Sequence, residues 1–189
     1  SLIMNMEDKF AEDIRKGLSA SQKSIPYQYF YNERGSWLFQ QIMQLPEYYL
    51  PGCERSILES NEAALLDFFQ AGNQEFNLID LGAGDASKTK TLLAAYEQRD
   101  VPFTYTPVDL STSILSALSE SLNAAYPNLN FEALNKDYWE AMEYLQHKTI
   151  KGQRKVVLFL GANIGNFTQE ESRAFLQQLK SYLAPGDLI

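Results

Sequence analysis

The sequence predicts an α/β fold: a doubly wound, Rossmann-like parallel sheet preceded by a helical, aromatic N-terminal segment. Three observations carry this expectation. From Phe76 onward, short apolar runs alternate with amphipathic stretches, the order that gives parallel strands with helices on both faces. The first run, "FNLIDL", passes directly into the glycine turn "GAGD" and then into a helix-like stretch. The residues that end or follow successive runs are Gly82 and Gly84, Asp109, Asp137 and the stretch "LGANIGN", and an open parallel sheet forms its ligand crevice beyond those strand ends.

The N-terminal elements come first. Phe10, Ile14 and Leu18 recur at a spacing of four, which predicts an amphipathic helix over residues 7–19. The stretch "SIPYQYFYNERGSWLFQQIMQLPEYYLPG" is aromatic and punctuated by proline, with a short helix expected over 36–45 and with Trp37 and Phe39 read as core. Ile57, Leu58, Leu65, Leu66 and Phe69 predict a helix over 54–69 that "QAGN" ends. Residues 1–70 are therefore expected to form the helical segment and 71–189 the sheet domain.

The sheet domain is expected to run as strand 76–81, helix 86–98, strand 103–109, helix 112–125, strand 129–134, helix 138–147, strand 155–161 and helix 169–183. Thr168 with Glu171 three residues on forms a capping box, and "APGD" is a stop and turn. A last strand opens at "GDLI". The expectation is of a fragment whose further strands and substrate domain are missing.

Composition narrows the function classes. The 189 residues are 45% hydrophobic and carry a net charge of −8, a balance that disfavours nucleic acid as a partner because non-specific affinity for it rests on Lys and Arg. With Cys53 and His147 as the single cysteine and histidine, no internal disulfide and no His/Cys zinc site is expected. Cys53 reads as a partly buried thiol and His147 as a surface imidazole. No apolar run approaches the roughly 20 residues that span a bilayer, so no membrane partner and a cytoplasmic location are expected.

The glycine turn points to a ligand. Gly82 and Gly84 allow a sharp turn and bring backbone N–H groups near a bound molecule. A dinucleotide fingerprint wants a third glycine, and Ser87 stands there, which weakens a pyrophosphate. Asp109, placed to hold both ribose hydroxyls, and Asp137 with Tyr138, placed for an adenine edge, suit an adenosine without a pyrophosphate. S-adenosylmethionine is such a ligand, with the turn and Lys88 meeting its amino-acid end. Asp80, Asp85 and Lys88 also fit as ordinary charges at a helix start.

The blocks "FYNERGSWLFQQIMQLPEYY", "DLGAGDASKT", "PVDLS" and "LFLGANIGNFT" together resemble the histidine-specific S-adenosylmethionine-dependent methyltransferases, which include the enzyme that makes trimethylhistidine toward ergothioneine. The resemblance covers most of residues 24–189. It implies a class I methyltransferase core, with the aromatic segment over 24–51 and a second domain closing on an amino-acid substrate. It implies cofactor contacts at Gly82, Lys88, Asp109, Asp137 and Tyr138, with Gly84 in the same turn, and substrate contacts at Tyr31, Tyr48, Gly161 and Asn166. Tyr138 stands where Phe is common, and Pro51, Gly52 and Cys53 stand where the family has a Thr and an Arg before the glutamate.

Methyl transfer from a sulfonium is an in-line displacement, so the protein must align a neutral nitrogen and exclude water. Asn166 is expected to orient the substrate, since an amide offers an acceptor and two donors without charge. A non-catalytic cofactor-binding or interaction domain, and a Rossmann-type NAD(P) oxidoreductase, are the alternatives.

Overall fold

The computed structural model describes residues 6–30, 33–71, 75–99, 101–148 and 153–189. The chain divides into two compact units, Ser1–Tyr49 and Leu50–Ile189.

In the first unit, α1 (Met6–Ser19) is followed by a 3-10 turn (Tyr27–Phe30) and α2 (Glu33–Ile42). Phe10 and Asp13, three residues apart on α1, share a face and hold Tyr29 together: the two rings meet edge-on at 4.8 Å, and the Tyr29 hydroxyl donates to Asp13 Oδ2 at 2.6 Å. α2 ends earlier than its expected limit at residue 45. Gln44 and Leu45 donate instead to the Gln41 and Ile42 carbonyls, and Pro46 disfavours helical geometry at the residue before it. Trp37 and Phe39, expected inside, are 57% and 43% exposed. A unit this small has too little interior to cover every apolar side chain.

The second unit opens with α3 (Leu50–Phe69). This helix starts four residues before the expected limit, because Pro51 lies in the first turn, where its missing N–H leaves no hydrogen bond unmade. Cys53, expected to be partly buried, is exposed there. α3 packs with the sheet: Leu58, Leu66 and Phe69 are buried beside Phe76, and the Phe69 ring lies 5.8 Å from Phe76 and 6.4 Å from Tyr96. Arg154 Nη1 closes the helix end by donating to the Phe68 and Phe69 carbonyls at 3.1 and 3.2 Å. The boundary between the two compact units falls between Tyr49 and Leu50.

The remaining elements are β1 (Phe76–Leu81), α4 (Thr89–Gln98), β2 (Phe103–Asp109), α5 (Thr112–Ala125), β3 (Asn130–Phe131), β4 (Leu134–Asn135), α6 (Tyr138–His147), β5 (Arg154–Leu158), a 3-10 turn (Asn163–Asn166) and α7 (Gln169–Ser181). All the strand pairs are parallel in the order β3-β2-β1-β5, with β4 also on β2. Leu188 bridges Val156 in parallel, as the expected last strand would. Phe76 and Leu78 enter one core with α3, α4 and α5, while Ile79 and Leu81 enter a second with α6 and α7. Both faces of β1 are covered, so its sequence is apolar without alternation. Among the described residues no helix is long and apolar enough to cross a membrane.

Three boundaries move for identifiable reasons. The expected strand 129–134 is split without a change of register: the Glu132 N–H still bonds the Tyr105 carbonyl at 2.9 Å, but the facing stretch of β2 contains Pro107, which has no N–H to complete the ladder. Helix α4 begins at Thr89 rather than residue 86, because Ala86 has a φ of 53° and cannot be helical. β5 stops at Leu158, where its pairing with β1 runs out at Asp80.

Candidate functional site

The chain passes from β1 to β2 and β3 on one side, then crosses to β5 on the other side of β1. The strand order thus reverses between β1 and β5, and the crevice at such a reversal, beyond the carboxyl ends of the strands, is where ligands bind in open parallel sheets. The turn after β1 crosses this point with Gly82 at φ +74° and Gly84 at φ +56°, angles that an L side chain adopts only with strain.

The turn's N–H groups do not face a ligand as expected. Gly82 and Ala83 both donate to the Val108 carbonyl, at 2.9 and 3.1 Å, and Gly84 donates to Asp109 Oδ2 at 3.0 Å. Buried or half-buried backbone donors need partners, and the end of β2 supplies them. The glycines are required instead for their φ angles and for clearance. A Cβ on Gly82 would stand 2.9 Å from the Tyr138 hydroxyl, whereas Gly84 faces open space. Asp109 Oδ1 accepts the Ser111 N–H at 2.9 Å, so each carboxylate oxygen takes one backbone donor and retains one lone pair.

Asp80 lies beneath the turn and is 3% exposed, a buried group rather than a surface charge. Its Oδ2 accepts from the Thr89 hydroxyl at 2.6 Å and from the Tyr105 hydroxyl at 2.9 Å. Burial pushes the Asp80 carboxyl above its ordinary value, and these two hydrogen bonds oppose that push. Burial and the Asp80 charge together hold Tyr105 well above the ordinary phenol value, so it stays protonated and donates.

Asp137 caps α6. Its Oδ1 accepts from the Trp139 and Glu140 N–H groups at 2.9 and 2.8 Å, while its own N–H goes to Glu140 Oε2 at 3.2 Å. That oxygen and N–H are engaged in the cap. The Tyr138 ring stands edge-on to Phe159 and Phe175, with centroids at 5.7 and 6.2 Å, and these two rings direct its hydroxyl to Gly82.

Lys88, the residue before α4, pairs with Glu54 of α3 at 2.7 Å. Glu54 Oε1 also accepts the Gly161 N–H at 2.6 Å. Gly161 has a φ of +90°, and a Cβ there would stand 3.1 Å from Lys88 Nζ. One carboxylate thus ties α3 to the start of α4 and to the turn after β5. Glu54 and Asp80 carry no glycine or aromatic signature; the sequence signal for Glu54 is its place in the block after "PEYY", and for Asp80 its place within an apolar strand.

Asn166 ends the 3-10 turn after β5 and is exposed. It does not cap α7. Thr168 does so with Glu171, each side chain accepting the other's N–H, at 3.2 and 2.7 Å. Tyr48 belongs to the first unit, where it is half-buried with its ring edge-on to Phe39 at 5.9 Å. Tyr31 lies outside the described residues. The second unit therefore brings together Gly82, Gly84, Lys88, Asp109, Tyr138 and Gly161. Among the described residues no group of three or more His, Cys, Asp or Glu is arranged to hold a metal.

Residues 10–189 match the family described as histidine-specific, SAM-dependent methyltransferases. The chain is 35% identical, over 93% of its length, to a histidine N-alpha-methyltransferase of Mycolicibacterium smegmatis, and covers 52% of that protein. A histidine N-alpha-methyltransferase of Mycobacterium tuberculosis is 34% identical over the same shares, 93% and 52%. A 4-dimethylallyltryptophan N-methyltransferase of Claviceps purpurea is 26% identical over 96% of this chain and 53% of its own. The chain spans about half the length of these relatives.

Proposed function

Because the chain belongs to the histidine-specific, SAM-dependent methyltransferase family, we propose that this protein transfers a methyl group from S-adenosylmethionine to the α-amino nitrogen of histidine or a similar small amino acid. The observation that carries the reading is the Gly82–Gly84 turn held against Asp109 at the strand-order reversal. The residues fit the cofactor: the open space over Gly84 admits a ligand to the backbone, and the two Asp109 oxygens each keep a lone pair for a ribose hydroxyl. Tyr138 and Asp137 would border the adenine, and Lys88 the amino-acid end.

Bound there, the cofactor supplies a methyl group on a positively charged sulfur. The protein's own part is alignment, exclusion of water, and handling of one proton. An α-amino group has a reference pKa of about 7.7–8.0 and is mostly protonated at neutral pH, so the site binds the neutral amine or takes up its proton before the lone pair can attack. Asn166 and the Gly161 turn, both following β5, orient the amine. By the family resemblance Tyr31 and Tyr48 are assigned to the substrate, and residues 71–189 to the cofactor.

Pro51, Gly52 and Cys53 replace a hydroxyl and a guanidinium in the family's pattern, which opens the substrate range beyond histidine; the similarity to a tryptophan-type N-methyltransferase favours testing that range. Calorimetric titration with S-adenosylhomocysteine and then with histidine, followed by methyl transfer to a panel of histidine and tryptophan derivatives, tests the reading. Absence of cofactor binding would remove it. Cofactor binding with no amine methylated would leave a binding domain only.

A further inference from the structure

The Glu54–Lys88 pair is built differently from a surface ion pair. Its two side chains are 26% and 30% exposed, and it joins α3 to the start of α4, which follows β1, and to the turn after β5, the two strands between which the order reverses. Glu54 is held by two donors, Lys88 Nζ on Oε2 and the Gly161 N–H on Oε1, which leaves one lone pair on each oxygen. A carboxylate fixed in this way is already oriented before any ligand arrives, and preorganisation of that kind lowers the ordering cost of binding. A stability role alone explains little of the arrangement, since partly exposed pairs contribute only about 0–1 kcal/mol.

We propose that Glu54 is the anionic half of a receptor for an α-amino-acid zwitterion, with Lys88 as the cationic half. The proposal rests on reading the crevice as an S-adenosylmethionine site, and the zwitterion is the amino-acid end of that cofactor. A lone cation would attract any anion. A cation and a carboxylate side by side select a ligand that carries the opposite pair, its carboxylate against Lys88 and its ammonium against Glu54. Both charges are needed, because either one alone would leave a partner group in the half-buried crevice without its counter-charge. The amino-acid substrate carries the same chemistry, but its α-nitrogen must be neutral to attack. The cofactor's ammonium, in contrast, stays charged throughout the reaction and suits a permanent carboxylate.

The test compares three ligands by calorimetry on wild type and Glu54→Gln: S-adenosylhomocysteine, its analogue lacking the α-amino group, and 5′-methylthioadenosine. Gln keeps an acceptor for the Gly161 N–H, so the turn is retained, and circular dichroism checks the fold. Wild type should prefer S-adenosylhomocysteine over the deaminated analogue by about tenfold, the scale of one charge-assisted hydrogen bond. Glu54→Gln should erase that preference while affinity for 5′-methylthioadenosine stays within about twofold, because that ligand lacks the zwitterion. An unchanged preference overturns the proposal. An equal loss for all three ligands also overturns it, making Glu54 a structural clamp. A loss of histidine binding to cofactor-saturated Glu54→Gln, with the cofactor preference intact, assigns the receptor to the substrate and overturns the cofactor assignment. Failure of wild type to bind any of the three would instead sink the cofactor reading itself.

Discussion

The Tyr138 hydroxyl stands 2.9 Å from the point that a Cβ on Gly82 would occupy. Gly82→Ala should therefore lower stability twice over, by about 1–2 kcal/mol for a left-handed φ and by about 1–3 kcal/mol for overpacking. Tyr138→Phe removes the second contribution alone. Thermal unfolding should show the double variant recovering part, and only part, of the loss; full recovery would mean that backbone strain at Gly82 is unimportant.

Asp109 offers a second prediction. Asp109→Ala should weaken S-adenosylhomocysteine binding by about 1–3 kcal/mol for lost hydrogen bonds. It should also loosen the turn, since Gly84 and Ser111 both donate to this carboxylate. Asp109→Asn keeps one acceptor oxygen and should retain more of the fold while still losing affinity. Calorimetry alongside melting curves separates the two effects, and equal affinity in wild type and both variants would disprove the ribose assignment.

Asn166 and Thr168 are expected to behave oppositely. The α7 cap rests on Thr168 and Glu171, so Thr168→Ala should cost about 0.5–2 kcal/mol of stability. Asn166→Ala should leave the melting temperature unchanged and cut kcat/KM by a factor on the order of tens, the scale of one polar contact made in the transition state. A fall in melting temperature with kcat/KM retained would remove Asn166 from substrate orientation.

Asp80 sets a dependence on pH. Its carboxyl is raised above the ordinary value of 3.8, by burial first, so the folded state holds this proton more tightly than the unfolded chain does. The stability it contributes is present in full below 3.8 and is lost as pH rises through the raised folded value. Asp80→Asn keeps an acceptor for Thr89 and Tyr105 and has no charge to bury. Its melting temperature relative to wild type should therefore climb as pH rises over that window, and a flat difference would show that Asp80 is not strained by burial.

The limits β1 76–81, β2 103–109, α5 112–125 and α6 138–147 were legible in the sequence and match the structure. Their signals are local: short apolar runs and amphipathic stretches whose period is set within one element. The turn's glycines and Asp109 were legible too, because strand ends in a parallel sheet point one way. Glu54 was not. Its partners, Lys88 and Gly161, come from two other elements, and the Gly161 contact spans 107 residues, a pairing that no spacing rule in one sequence encodes. The direction of the turn's N–H groups was misjudged for a related reason, since the Val108 carbonyl that receives them belongs to the next strand.

The central place of β1 in the sheet also sets an order of assembly. Its bond to the β2 side, Gly84 to Asp109, closes a span of 25 residues, whereas the contact beside β5, Gln153 to Glu75, closes 78. Closure entropy grows with span, and parallel pairing over long spans is slow. β1 and β2 are therefore expected to meet first, which leaves the apolar β1 with one unpaired edge until β5 arrives. An intermediate of that kind templates association between chains, so refolding yield should fall as protein concentration rises.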